Sequence, residues 1–211
     1  APKIDRRTLN NIKCKEGEVY FIDVKVIGEP EPRIEWEFND RSLMSTTHMS
    51  IRSEPYKSFL KNTEATRRDA GRYKITATNK FGYDEAEIEV QVISKPSPPE
   101  GPLEVSDVHA EGCKLKWRKP KDDGGIPIDH YVVEKFDPET GVWLPCGTSE
   151  SPEMEVDSLT PEHEYKFRVK AVNAEGESEP LETLGHIFAR DPYSLPTAPS
   201  APKPIDWSIN H

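Results

Sequence analysis

No stretch of this chain approaches the roughly 18 consecutive apolar residues of a membrane-spanning helix, and Ala1-Pro2-Lys3-Ile4-Asp5-Arg6-Arg7 has no apolar signal-peptide core behind its charges. Neither a membrane partner nor a secretory address is expected. Cysteine is scarce: Cys14, Cys113 and Cys146 are odd in number, form no Cys-x-x-Cys pair and lie in separate segments. That excludes a disulfide framework and the usual zinc spacing. The six histidines show no His-Glu-x-x-His pattern, and Gly-x-Ser-x-Gly, phosphate-loop and kinase signatures are all missing. No catalytic residue, cofactor or metal site is therefore expected. An excess of positive charge is lacking as well, since the net charge is −10, and nucleic acid is not an expected partner. Finally, 20 prolines in 211 residues leave few stretches free for helix, because each interior proline costs a helix about 3 kcal/mol. The chain is predicted to be all-β.

What is present is unevenly spread. Up to Lys95, 17 basic residues stand against 16 acidic ones, and beyond it 11 stand against 22, so net +1 is followed by net −11. Proline clusters at the same division, Lys95-Pro96-Ser97-Pro98-Pro99-Glu100-Gly101-Pro102, and again from Pro192 onward. Such clusters read as short, stiff linkers. They divide the chain into residues 1–95, 96–192 and a tail, 193–211. Alternating segments recur about every ten residues between them: 18–27, 33–38, 49–53, 56–60, 71–78 and 85–93, then 103–109, 112–117, 128–136, 142–145, 154–156, 164–172 and 184–189. Six or seven short strands per hundred residues predict two tandem β-sandwiches, which suits a chain with only 34% apolar residues better than one large core.

In the first half, Asp69-Ala70-Gly71-Arg72-Tyr73 places a tyrosine at a strand corner, and Trp36 follows Gly28-Glu29-Pro30-Glu31-Pro32-Arg33-Ile34-Glu35. This half resembles an immunoglobulin domain of the I-set. The resemblance implies that Trp36 and Tyr73 fill the space between two sheets. Val24 and Ile75 occupy the positions of the family's inter-sheet disulfide, so aliphatic packing is expected to replace it. Polar Asn62 and small Ala65 stand where larger apolar residues are usual, which weakens the expectation of a strand there. In the second half, Leu115-Lys116-Trp117-Arg118-Lys119-Pro120, Ile128-Asp129-His130-Tyr131-Val132-Val133 and the strict alternation of Tyr165, Phe167, Val169 and Ala171 resemble a fibronectin type III domain. Trp117, Tyr131 and Tyr165 are then core residues. Pro202-Lys203-Pro204-Ile205-Asp206-Trp207-Ser208 resembles the first strand of a further type III domain.

The pairing of these domains through Lys-Pro-x-Pro-Pro resembles the giant muscle proteins of the titin, twitchin and projectin family. That implies a cytoplasmic, sarcomeric spacer and scaffold in the A-band or adjoining region. Implied partners are thick-filament proteins such as myosin and neighbouring domains of the same chain. Extracellular adhesion or receptor fragments join the same domains, but they favour the inter-sheet disulfide and Asn-x-Ser/Thr glycan acceptors, and this chain lacks both. Arg67-Arg68 and Asp122-Asp123-Gly124-Gly125 are expected to be surface turns with solvated charges. Lys114, Lys116 and Arg118 are expected on the wet face of their strand. With no covalent bridge to lose, thermal midpoints measured with and without reductant should agree, whereas a fall of several degrees in reductant would reveal a disulfide.

Overall fold

A computed structural model describes residues 1–193, so the expected further strand at 202–208 lies outside the described residues. Nine strands build the first sandwich: β1 (Lys3–Ile4), β2 (Ile12–Lys15), β3 (Tyr20–Ile27), β4 (Arg33–Phe38), β5 (Arg41–Ser42), β6 (Met49–Glu54), β7 (Lys57–Asn62), β8 (Gly71–Asn79) and β9 (Gly82–Ile93). One sheet runs β1-β3-β7-β6 and the facing sheet β2-β9-β8-β4-β5. All pairings are antiparallel except β2 beside β9. Strands β1, β2 and β5 were not anticipated, because runs of two to four residues carry too little alternation to declare themselves without their partners.

Alternation explains the core. Strand β3 buries every second residue, and its Tyr20, Ile22, Val24 and Val26 meet Trp36, Ile75, Ala77, Ile88 and Val90 from the other sheet. Val24 and Ile75 are both fully buried in this apolar cluster. Trp36 donates its Nε1–H to Ser58 Oγ at 2.8 Å, so its polar atom is satisfied where it is buried.

Contrary to expectation, Asn62 does not interrupt its strand. It ends β7 paired with Tyr20 and is fully buried, because its polarity is used. Its Nδ2 donates to Tyr20 Oη at 3.3 Å and to Asp69 Oδ2 at 3.0 Å. The Tyr20 hydroxyl meets that of Tyr73 at 2.8 Å, and Tyr73 donates to the Asp69 carbonyl at 2.9 Å. Asp69 also accepts from the Thr66 amide at 2.8 Å and hydroxyl at 3.0 Å, and lies 3.2 Å from His48 Nε2. This buried chain of bonds ties the corner before β8 to the opposite sheet.

The second sandwich contains β10 (Glu100–His109), β11 (Gly112–Arg118), β12 (His130–Asp137), β13 (Val142–Ser149), β14 (Glu153–Val156), β15 (Glu164–Asn173), β16 (Gly176–Glu177), β17 (Leu181–Glu182) and β18 (Ile187–Phe188). Sheet β10-β11-β14 faces β13-β12-β15-β16, and β17 and β18 also pair with β15. Its core gathers Leu115, Trp117, Tyr131, Val133, Tyr165, Phe167 and Val169. The rings of Trp117 and Tyr131 meet edge-on with centroids 5.3 Å apart. The last expected strand, 184–189, is shorter than anticipated: only Ile187 and Phe188 pair, and Leu184 is 97% exposed.

Burial pushes the Asp69 carboxyl up, but the hydrogen bonds from Thr66, Asn62 and His48 outweigh it and hold it below the ordinary carboxylate value. A depressed native value adds stability above the unfolded value near 4 and loses it as pH falls through the native one. Chemical denaturation of Asp69→Asn should show a loss of about 1–3 kcal/mol at neutral pH and a shallower decline below about pH 4. Equal stability at neutral pH would mean that the corner does not depend on the carboxylate.

Candidate functional site: the interdomain joint

Where β9 ends, the backbone of Ser94 leaves its own sheet and is taken up by the second sandwich. Its amide donates to the Gly124 carbonyl at 2.9 Å, and its carbonyl accepts from Asn173 Nδ2 at 2.8 Å. The same Nδ2 group donates to the Asp123 carbonyl at 2.8 Å, and Asn173 Oδ1 accepts from the Glu175 amide, also at 2.8 Å. Three residues on, the Ser97 amide donates to the Asp122 carbonyl at 2.9 Å and the Asp122 amide to Ser97 Oγ at 3.0 Å. Proline has no amide donor and fixes φ, so Pro96, Pro98 and Pro99 hold the linker extended and leave Ser94 and Ser97 to make these bonds.

A charged clasp lies beside the zipped linker. Arg67, on the corner of the first sandwich, reaches across to Asp122, with Nε 3.0 Å from Oδ2 and Nη2 3.0 Å from Oδ1. Its remaining Nη1 donates to the Val92 carbonyl. Such a two-pronged pair fixes orientation as well as distance. The guanidinium holds the Asp122 carboxyl below its ordinary range against the opposing effect of burial, and Arg67 is raised in turn. Gln91 Nε2 donates to the Gly125 carbonyl at 3.1 Å, and Lys15 Nζ lies 3.2 Å from Glu175.

The two glycines make the close approach possible. Gly124 and Gly125 have φ of +81° and +76°, and a Cβ on Gly124 would run into the Ser94 carbonyl. One on Gly125 would sit 2.6 Å from Arg67 Nη1 and 2.9 Å from the Val92 carbonyl. The four residues Asp122 to Gly125 are therefore more than a surface turn. Arg67 and Asp122 are not merely solvated, and this corrects the sequence expectation. Lys116 and Arg118, by contrast, do stand exposed as expected, with Lys114 half-buried.

The side chains expected to matter from sequence lie elsewhere. Val24, Trp36, Tyr73 and Ile75 meet in one core, and Trp117, Tyr131 and Tyr165 in the other. None of the seven belongs to the joint. Of the joint residues, Arg67, Asp122 and Gly124 read in sequence as surface turns, and Ser94, Ser97 and Asn173 gave no signal at all. Chemically the joint offers no nucleophile and no acid–base pair aimed at a substrate. No cluster of three or more His, Cys, Asp or Glu side chains able to hold a metal exists among the described residues. An open groove of about 530 Å³ beside the joint has mixed charge, from Lys119 and Lys121 to Asp123 and Glu150.

Fold and joint together define a tandem of two β-sandwich domains with a bonded linker. Residues 2–92 match the Immunoglobulin I-set domain family and residues 97–184 the Fibronectin type III domain family, neither of which is catalytic. In kind and order the two domains are similar to those of titin-like proteins. It is 33% identical over 204 residues to titin of Drosophila melanogaster, covering 94% of this chain and 1% of that protein. It is 32% identical over 191 residues to fast-type myosin-binding protein C of Gallus gallus, covering 89% of this chain and 17% of that protein. A crystal structure of consecutive titin domains is 31% identical and superposes with a TM-score of 0.51, over 90% of this chain and 66% of that one. The chain thus spans a small fraction of its curated relatives.

If the joint locks the sandwiches, nitrogen-15 relaxation should give both domains one tumbling time in the native chain. Gly124→Val and the double change Arg67→Ala/Asp122→Ala should give each domain its own, shorter time, with the two cores still folded. Unchanged relaxation in both variants would show that the joint does not restrain the domains.

Proposed function

We propose that this pair is a structural spacer and protein-interaction module of a giant sarcomeric filament protein, acting in the muscle cytoplasm on the thick filament, in the A-band or adjoining region. The observation that carries the reading is the joint. A spacer must convert domain count into length, and a linker bonded on both sides of Ser94 limits bending at the junction. The proposed units are residues 1–95 and 96–192. Trp36, Tyr73, Trp117, Tyr131 and Tyr165, with Val24 and Ile75 in place of a disulfide, hold the two units.

A relative named for myosin binding supports a myosin-rich partner. The net charge of −11 beyond Lys95 supports steering of basic partner surfaces by the second domain. Exposed charges farther apart than about 8 Å are largely screened at physiological salt, so a single module binds weakly and repetition along a filament supplies avidity.

Co-sedimentation with reconstituted myosin filaments tests the reading. The pair should bind in the micromolar range or weaker, less at higher salt, and tandem copies should bind more tightly. No binding at low salt, or nanomolar binding indifferent to salt, would overturn it.

A further inference from the structure

The outer face of sheet β1-β3-β7-β6 carries side chains that the fold itself does not need. Inward positions of β3 and β7 are filled by Ile22, Val24 and Leu60, and the residues between them point to solvent. Two of these are phenylalanines. Phe21 is 52% exposed and Phe59 37%, and their rings stack with centroids 5.6 Å apart. Stacking covers part of each ring and leaves the rest in water, where apolar area is unfavourable. Val19, just ahead of β3, is 49% exposed and extends the apolar patch.

Register places cations around this pair. Lys61 stands directly opposite Phe21, with its Nζ 5.7 Å from the ring centre, and Arg52 stands opposite Phe59. One step further, Lys25 pairs with Lys57. Arg52 has Glu54 at 3.6 Å, but Lys25, Lys57 and Lys61 have no carboxylate within ion-pair distance among the described residues. Asp23, opposite Phe59, is the one acid among them without such a partner. At the β1 edge the face continues into an open groove of about 530 Å³ where Ile4 and Ile27 lie among Lys3, Arg6, Arg7 and Lys25, with Asp5 the one acid of its lining.

We propose that this face docks a protein segment of opposite character: an acidic amphipathic helix that lays an apolar stripe on Phe21 and Phe59 and sets carboxylates against Lys25, Lys57 and Lys61. An aromatic centre within a charged rim is the anatomy of a protein interface. Three unpaired ammonium groups select the sign of the partner. The acidic second domain of the same chain is not the occupant. Its contacts with the first come from the other end, through Arg67, Gln91, Ser94 and Lys15, and the joint keeps it there. The face is independent of the filament reading above, because it is defined by its own side chains.

The test is an NMR titration of the whole chain with a helical peptide built of leucine and glutamate heptads, beside the same peptide with lysine for glutamate. The acidic peptide should shift Phe21, Phe59, Lys57 and Lys61 saturably, and the basic one should not. Phe21→Thr/Phe59→Thr should weaken binding at least about tenfold. Lys57→Glu/Lys61→Glu, which leaves the aromatic pair in place, should do the same. Both should leave the thermal midpoint within about 3 °C, since outward positions contribute little to the core. Absence of saturable binding, shifts confined to the second domain, or affinity unchanged in the lysine variant would overturn the proposal. So would concentration-dependent shifts of the same residues without peptide, which would make a second copy the occupant.

Discussion

An amide and a carbonyl at the end of a strand have lost their sheet partners and must find others, and at Ser94 both are found in the neighbouring domain. The relation between the two halves of the molecule depends on that requirement. Satisfying it brings the Gly124 carbonyl and the Asn173 side chain against the last turn of the first sandwich, so close that position 124 has no room for a side chain. Arg67 then has Asp122 within reach, and the clasp forms because the backbone bonds have already set the distance. Each such bond is worth about 0.5–1.5 kcal/mol net, and several in one place restrain a linker that proline has already stiffened.

Inside the first sandwich the same rule acts on side chains. Without a disulfide between the sheets, Val24 and Ile75 contribute only apolar burial. The polar cross-sheet ties are instead the Trp36–Ser58 hydrogen bond and the chain from Asn62 through Tyr20 and Tyr73 to the Asp69 carbonyl. A buried amide that would be costly alone becomes a specific link because every polar atom facing it is paired. Domains held this way have no covalent tie to lose under reducing conditions.

The surfaces divide by sign for a related reason. Charges that serve the joint or the corner are paired, as with Arg67 and Asp122, whereas Lys25, Lys57 and Lys61 face solvent beside two aromatic rings. In an array of repeated sandwiches the cores are common to every member, so specificity has to reside in such outward positions.

Alternation with a period of two is a local property, and from it the sequence alone determined the strand segments and the two sandwiches, while motif resemblance supplied the domain types and the core roles of Trp36 and Tyr73. Tyr165, Phe167, Val169 and Ala171 declare an inward face without knowledge of any other strand. The resemblance also put Val24 and Ile75 at the positions of the family's inter-sheet bridge, which neither residue can form. The tertiary structure alone decided what depends on distant partners. The two-residue β1, the parallel placement of β2, the use made of Asn62 and the whole joint belong here. Arg67 and Asp122 are 55 residues apart, and Ser94 and Asn173 are 79 apart. An arginine, an aspartate or a pair of glycines reads the same in sequence whether it faces water or another domain, because only the folded chain determines what stands opposite.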